Sequence, residues 1–485
     1  MGHRRKHHRA YGVIFDESTS TPTCKRIGQG QSSAAATKMP DNLMVLQSLM
    51  RGCLLNDAGE VQYYTGATDR TKKEDMLTPS VLTGADGQVA VEIAQGWLKY
   101  WYEGTEHHWL ISKEQFNGAA RLPAFFKNNE WVKNRYMSAY EGVLYDDSES
   151  RYTNGVRLEV SSTVFDSAGK TITQAGRSHP FTLLESGDKL LVAGTTNNNK
   201  VVTIATGGTG DQVITVDEVL VDETAANTTI ETQKDWNNDV LSSVSGKSPI
   251  NYGYRSNFRT AGASRGTGWR QQGFDLVSAI QLLYLVEYAS FNSQLMIGNG
   301  LTNFGGANWA NRNNYNPIEL TGLSNSLGNA SGGVDNGANA LGSFMSYRSI
   351  ENFFGHIWKW VDGFNINGGI PYVSNVDTDF ADNTATGVGG TYARLLDVGG
   401  AGITLPQGLN AYQQTLEQIS RGFLPASLGG GSTTYITDFY YQNIGWRVAV
   451  LGGAAYSGAF AGVAYWYLNF SSGYRDRDFG GRLCR

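Results

Sequence analysis

Hydrophobic and polar positions alternate in short runs along most of this chain, and the runs are punctuated by Gly, Asn and Asp. Val89 to Ile93, and the aromatic segment Trp97 to Tyr102 followed by Glu103-Gly104, read as strands with a turn between elements. They place residues 11–131 in a β-rich N-terminal region, and Asn134 to Tyr145 is a further aromatic strand that opens the next domain, 132–485. Between Thr163 and Thr232 the character changes: Thr, Val, Gly and Asn dominate, and Lys189 to Ala193, Lys200 to Ala205 and Gln212 to Val221 alternate with turn clusters. This predicts a small all-β unit, 163–235, inserted in the larger domain. Phe274 to Ser290 combines strong helix formers with apolar residues on nearly every face, the pattern of a deeply buried helix. Long Gly/Asn-rich loops follow from Gly298 to Gly342, and strand-like alternation returns from Tyr347 to Phe364, with Trp358 and Trp360 on one face and expected to form one buried core with the Phe274 to Ser290 helix.

Val448 to Phe470 carries no charge and is long enough to cross a bilayer. Its Gly452, Gly453, Gly458 and Gly462, with Ser457, Asn469 and several Tyr, make it too polar for a lone anchor, so buried strands and loops are expected rather than membrane insertion.

Length and composition narrow the class. A chain of 485 residues has room for two to four domains of about 100–200 residues each. With 60 Gly, 25 Tyr, 20 Phe and 11 Trp against 17% charged residues, it has the make-up of a loop-rich extracellular or virion protein. A formal net charge of -5 gives no pull toward nucleic acid, which is not expected as a partner. The exception is a basic tail, residues 1–10, where His3, Arg4, Arg5, Lys6, His7, His8 and Arg9 lack the apolar core of a secretory signal. Three cysteines, Cys24, Cys53 and Cys484, at unrelated spacings suggest buried thiols and neither a disulfide framework nor a zinc knuckle.

Several segments together resemble the C-type-lectin fold of formylglycine-generating enzymes and variable phage adhesins. Arg135 to Glu141 resembles the family's opening strand, Phe274 to Ser290 its main helix, and Gly355-His356-Ile357-Trp358-Lys359-Trp360 its G-N-V-W-E-W motif. Gly445 to Val448, Leu451 to Gly453 and Gly480 to Arg485 resemble its last strands, while Tyr11-Gly12-Val13, Met50 to Leu55 and Tyr347 to Asn352 look like phrases of gut-phage tail proteins. The resemblance implies an α+β fold: a C-type-lectin-like C-terminal domain carrying the all-β insertion, preceded by the β-rich region that attaches to other virion proteins.

By the same resemblance the function is host-receptor binding by a phage tail adhesin, and the variable surface is Ala454 to Phe479. Retroelements that diversify such proteins rewrite the adenines of asparagine codons and leave cytosine-ended codons, which never encode Lys, Glu, Gln, Met or Trp. Trp466 is the only residue of the segment outside the reachable set. Tyr456, Phe460, Tyr465, Tyr467, Phe470, Tyr474, Asp476, Asp478 and Phe479 are the expected ligand-binding residues, since aromatics interleaved with small and polar residues suit an adaptable binding surface. A glycine-rich core segment lacking long polar residues has the same composition. The expected partner is a host cell-surface protein or glycan, the expected assembly a homo-oligomer such as a trimer, and the expected location a virion tail or fibre made in the host cytoplasm. A structural decoration or fibre protein without receptor specificity is the alternative.

An enzyme is not expected, and no cofactor or metal is implied. The formylglycine-generating enzymes hold copper with a pair of active-site cysteines, and the matching region here has Cys484 alone. His107 and His108 are adjacent, so in a strand they point to opposite faces, and a solvated turn is expected. His356 reads as a satisfied core histidine. Asp377, Asp379 and Asp382 lack the glycine and distal glutamate of a helix-loop-helix calcium site. Asp476 and Asp478 lie beside Arg475 and Arg477, which suggests ion pairs.

Overall fold

The computed structural model describes residues 10–176, 180–304, 319–335, 343–386 and 390–485. The basic cluster at residues 3–9 and parts of the Gly/Asn-rich loops, 305–318 and 336–342, lie outside the described residues.

Strand makes up 37% of the structure and helix 12%, distributed over many small sheets. The α+β, C-type-lectin-like architecture is therefore overturned in favour of a β-rich one. The physical reason is that, beside the one long buried helix Phe274–Tyr288, the described chain consists mostly of short β-branched and aromatic runs whose backbone groups pair in sheets.

Trp97–Glu103 and Glu106–Ser112 form a hairpin through Gly104, whose φ of 64° suits the turn. The hairpin belongs to a five-stranded sheet completed by Tyr11–Asp16, Lys25–Gly28 and Ala120–Arg121. A six-stranded sheet runs Arg270–Gln271, Leu483–Cys484, Asn134–Ser138, Gln88–Ala94, Arg51–Leu55, Val61–Tyr64. It crosses the boundary expected at 131/132: Gln88–Ala94 pairs with Asn134–Ser138, and Met137 lies opposite Cys484. The N-terminal region accordingly shares one hydrophobic core with the later chain, from Tyr11 and Phe125 through Leu283 to Trp466.

The largest sheet has nine strands. Eight run in the order Ala393–Arg394, Ile370–Val373, Trp358–Asn367, Trp446–Leu451, Trp466–Leu468, Ile436–Gln442, Asn410–Leu416, Pro425–Leu428, and Phe479–Gly480 adds in parallel to Trp358–Asn367. The helix Phe274–Tyr288 packs between this sheet and Tyr11–Asp16, with every residue but Asp275 buried. Its buried Glu287 is matched by Arg348, whose Nη2 donates at 2.7 Å to Glu287 and at 2.6 Å to Asp41. Trp358 and Trp360 are buried as expected, but on the sheet face away from this helix, in a second core with Phe258, Val450 and Phe479. A register shift between Val361 and Asn365 turns Phe364 and Ile366 back toward the helix, where Phe364 meets Phe274 at 4.7 Å.

The Thr/Val-rich unit has two four-stranded sheets and a core of its own, Val156 to Ile230. Its first strand is Arg157–Val160, slightly before the expected start at 163. Its contacts with the body include Asp188 with Arg151 at 3.1 Å and the Arg157 guanidinium 3.6 Å over the Tyr252 ring.

Candidate functional site

Strand alternation sorts the nine-stranded sheet onto two faces. Tyr440, Ala449, Leu451, Trp466 and Leu468 face the helix core, while Phe439, Val448, Val450, Tyr465 and Tyr467 belong to the opposite side. On that outer side the rings touch in an unbroken series. Tyr412 meets Phe460 at 5.5 Å between centroids, Phe460 packs on Phe439 at 4.3 Å, and Phe439 meets Tyr465 at 6.0 Å. Tyr465 meets Tyr467 at 5.9 Å, Tyr467 meets Phe470 at 5.4 Å, and Phe470 stacks on Tyr474 at 4.1 Å. Buried Trp358 underlies the middle of the series, stacked on Tyr467 at 5.1 Å and edge-on to Tyr465 at 5.0 Å.

The nine expected binding residues divide by depth. Tyr456 and Phe460 are each 42% exposed, and Tyr467, Phe470, Tyr474 and Asp476 are half-buried. Tyr465, Asp478 and Phe479 are buried, so they support the surface rather than form it. Tyr465 is caught between Trp358 and Phe439, and Phe479 lies against Trp360 at 5.1 Å because its short strand pairs with Trp358 and Lys359.

The loop between the strands is held by its backbone. Gln294 Nε2 donates to the Gly458 and Ala461 carbonyls at 2.9 and 2.8 Å, and Gln281 Nε2 donates to that of Val463 at 2.6 Å. Asp438 accepts the Ala464 N–H at 2.6 Å, and Gln413 donates to the Ala464 carbonyl at 2.8 Å. Gly462 is required here, since a Cβ would fall 2.0 Å from the Asp438 carboxylate. Backbone hydrogen bonds from beneath thus fix the loop at Gly458, Ala461, Val463 and Ala464.

Polar groups frame the rings. The Tyr456 hydroxyl donates to Asp478 at 2.5 Å and accepts from Trp358 Nε1 at 3.3 Å, so the phenol end is tucked in while the ring is displayed. Burial pushes the Asp478 carboxyl up to about 7. Tyr474 donates to Asp476 at 3.0 Å, and Arg477 Nε lies 3.8 Å from Asp476. The expected ion pairing holds for Asp476, whereas Asp478 takes a phenol instead. Arg475 stacks over Tyr252 and Tyr254 at 4.5 and 4.7 Å, extending the aromatic platform beyond the expected segment.

Tyr412, Phe439 and Tyr441 join this face without having been anticipated. The alternation in Ile436–Gln442 was the available signal, but period 2 does not say which face is covered by a helix. Elsewhere, His107 and His108 lie in a strand rather than a solvated turn, and both are buried. His107 bonds Glu17 at 2.5 Å and Tyr100 at 2.7 Å, while His108 stacks on Trp101 at 4.5 Å. His356 is buried against Glu141 at 2.5 Å. Asp377 faces Lys127 at 3.0 Å and Asp382 faces Arg259 at 2.7 Å, so these carboxylates serve separate cations. The three cysteines are buried and unpaired. No family model and no curated protein matches the chain.

The outer face thus offers ring faces and edges, phenols anchored to carboxylates, and guanidinium groups stacked on tyrosine rings.

Proposed function

We propose that this protein binds a host cell-surface protein or glycan through the outer aromatic face, in the role of a phage tail adhesin. The observation that carries the reading is the row of rings from Tyr412 to Tyr474, in which Phe460 is exposed and Tyr412, Tyr467, Phe470 and Tyr474 are half-buried over buried Phe439 and Tyr465, beside a loop whose backbone is fixed by Gln281, Gln294, Gln413 and Asp438. A contiguous aromatic patch at a protein surface marks a contact site, and rigid rings supply contact area at small entropic cost. Because the loop is held from beneath, ring identity can change there without unfolding the sheet. Copies displayed together on a tail or fibre, as a homo-oligomer, raise avidity above that of one face.

The test is attachment of the fluorescently labelled protein to host bacteria. Changing Phe460 and Tyr467 together to Ser is expected to abolish attachment, and Phe460→Ser alone, at an exposed position, to weaken it while the melting temperature stays close to the wild-type value. Undiminished attachment by the double variant overturns the proposal and favours a structural role in the virion.

A further inference from the structure

A second concavity, formed by other segments, has the chemistry of a binding site. It is an open groove of about 1000 Å³, the upper end of the about 300–1000 Å³ usual for small-molecule sites. Three turns or strand pairs build it: the turn at residues 56–57, the turn at residues 83–87, and the hairpin of Val143–Asp146 with Arg151–Thr153. Tyr145 and Tyr152 lie directly opposite in that hairpin, so their half-buried rings share one face, 5.0 Å apart.

The polar wall is preorganised. Asp57 is 75% exposed at its side chain, yet Arg265 Nη1 holds its carboxylate at 2.7 Å and Trp269 Nε1 holds its carbonyl at 2.7 Å. Arg265 is itself fixed by the Leu241 carbonyl at 2.8 Å and by Ser242. Asp86 accepts from Tyr63 at 2.8 Å. Gln88 lines the cavity although only 2% exposed, its Oε1 occupied by the Ser243 N–H at 2.7 Å.

We infer that this groove binds a neutral oligosaccharide, laid along the Tyr145 ring and the carboxylate groups that line the groove beside it, with Tyr152 packed under the turn at Gly84. Three carboxylates, Asp57, Asp86 and Asp147, face one guanidinium, which disfavours phosphorylated, sulfated or sialylated ligands. Sugar hydroxyls both donate and accept, matching carboxylates that accept and the amide of Gln62 that does both, while the Asn56 amide is held by Glu60. The C–H face of a sugar ring packs on a tyrosine ring, and the oligolysine arm of the experiment tests a cationic ligand directly. The inference is independent of the aromatic face formed by Phe460 and Tyr467.

The experiment screens the full chain against immobilised neutral gluco-, galacto-, manno- and N-acetylglucosamine oligosaccharides, their sialylated and sulfated counterparts, and an oligolysine peptide. At least one neutral oligosaccharide is expected to bind, with affinity falling about tenfold or more in Tyr145→Ala and in Asp57→Asn. Phe460→Ser should leave that affinity unchanged. Asp57→Asn is isosteric and exposed, so it decides the matter even if Tyr145→Ala loses its fold. Absence of neutral binding, binding confined to anionic sugars or oligolysine, or neutral binding indifferent to Asp57→Asn each overturns the inference.

Discussion

Tyr456 displays 42% of its surface and at the same time donates its hydroxyl to the fully enclosed Asp478 carboxylate at 2.5 Å. One side chain thus ties the outer aromatic face to a buried titratable group. Whatever changes the charge of Asp478 acts on the posture of Tyr456.

This pair makes stability pH-dependent. Asp478 is raised from 3.8 to about 7 by burial, so between those values the folded chain keeps a proton that the unfolded chain has lost. Its contribution therefore favours folding at low pH and declines as pH rises from about 4 to about 7. Asp438, pushed up to about 8 by burial, acts with the same sign. Urea unfolding midpoints measured across this range should fall less steeply for Asp478→Asn than for wild type. Parallel profiles would count against a protonated Asp478 in the folded state.

Depth, rather than residue type, should govern the aromatic segment. Tyr465→Ala is expected to cost about 3–5 kcal/mol, as for other large buried aromatics, whereas Phe460→Ser should cost about 1 kcal/mol or less. Chemical denaturation of the two variants compares them directly. Equal losses would mean that Phe460 is as integral to the sheet as Tyr465.

Trp360 is fully buried and donates Nε1–H to the Gly253 carbonyl at 3.0 Å. Trp360→Ala removes the ring and that donor together, and a loss of about 3–5 kcal/mol is expected in denaturant melts. An unchanged midpoint would remove the second core from the account of the fold.

The Thr/Val-rich unit closes at its own base: Val156 N–H donates to Thr232 Oγ1 at 2.9 Å, and Thr232 N–H donates to the Val156 carbonyl at 2.9 Å. Excising Arg157 to Thr232 and joining the ends with a short Gly-Ser link should leave a cooperatively melting body by calorimetry, and the excised unit should fold alone. A body that no longer melts cooperatively would show that the unit is integral.

Elements with strong local patterns were legible in sequence. The helix Phe274–Tyr288, the strands Gln88–Ala94 and Trp97–Glu103, and the β character of the Thr/Val-rich unit all follow from periodicity and turn residues. Partnership was not legible, because alternation fixes which residues share a face but not what covers it. Trp358 and Trp360 were therefore paired with the wrong side of the sheet, and Tyr465 and Phe479 were expected outside. Arg255–Ser264 escaped notice as a helix because its Arg, Ser, Asn and Gly positions weaken the apolar signal. The shared core across residue 131 depends on pairing between distant segments, for which a single sequence carries no local mark.

Leu483–Cys484 lies inside the six-stranded sheet, between Asn134–Ser138 and Arg270–Gln271. During synthesis, Asn134–Ser138 leaves the ribosome long before its partner at Cys484 exists, and at about 5–20 residues per second it waits some tens of seconds with an open edge. The sheet is sealed only after nearly the whole described chain has emerged. Chaperone dependence, and aggregation of prematurely terminated chains, are the consequences to be expected from where that one short strand sits.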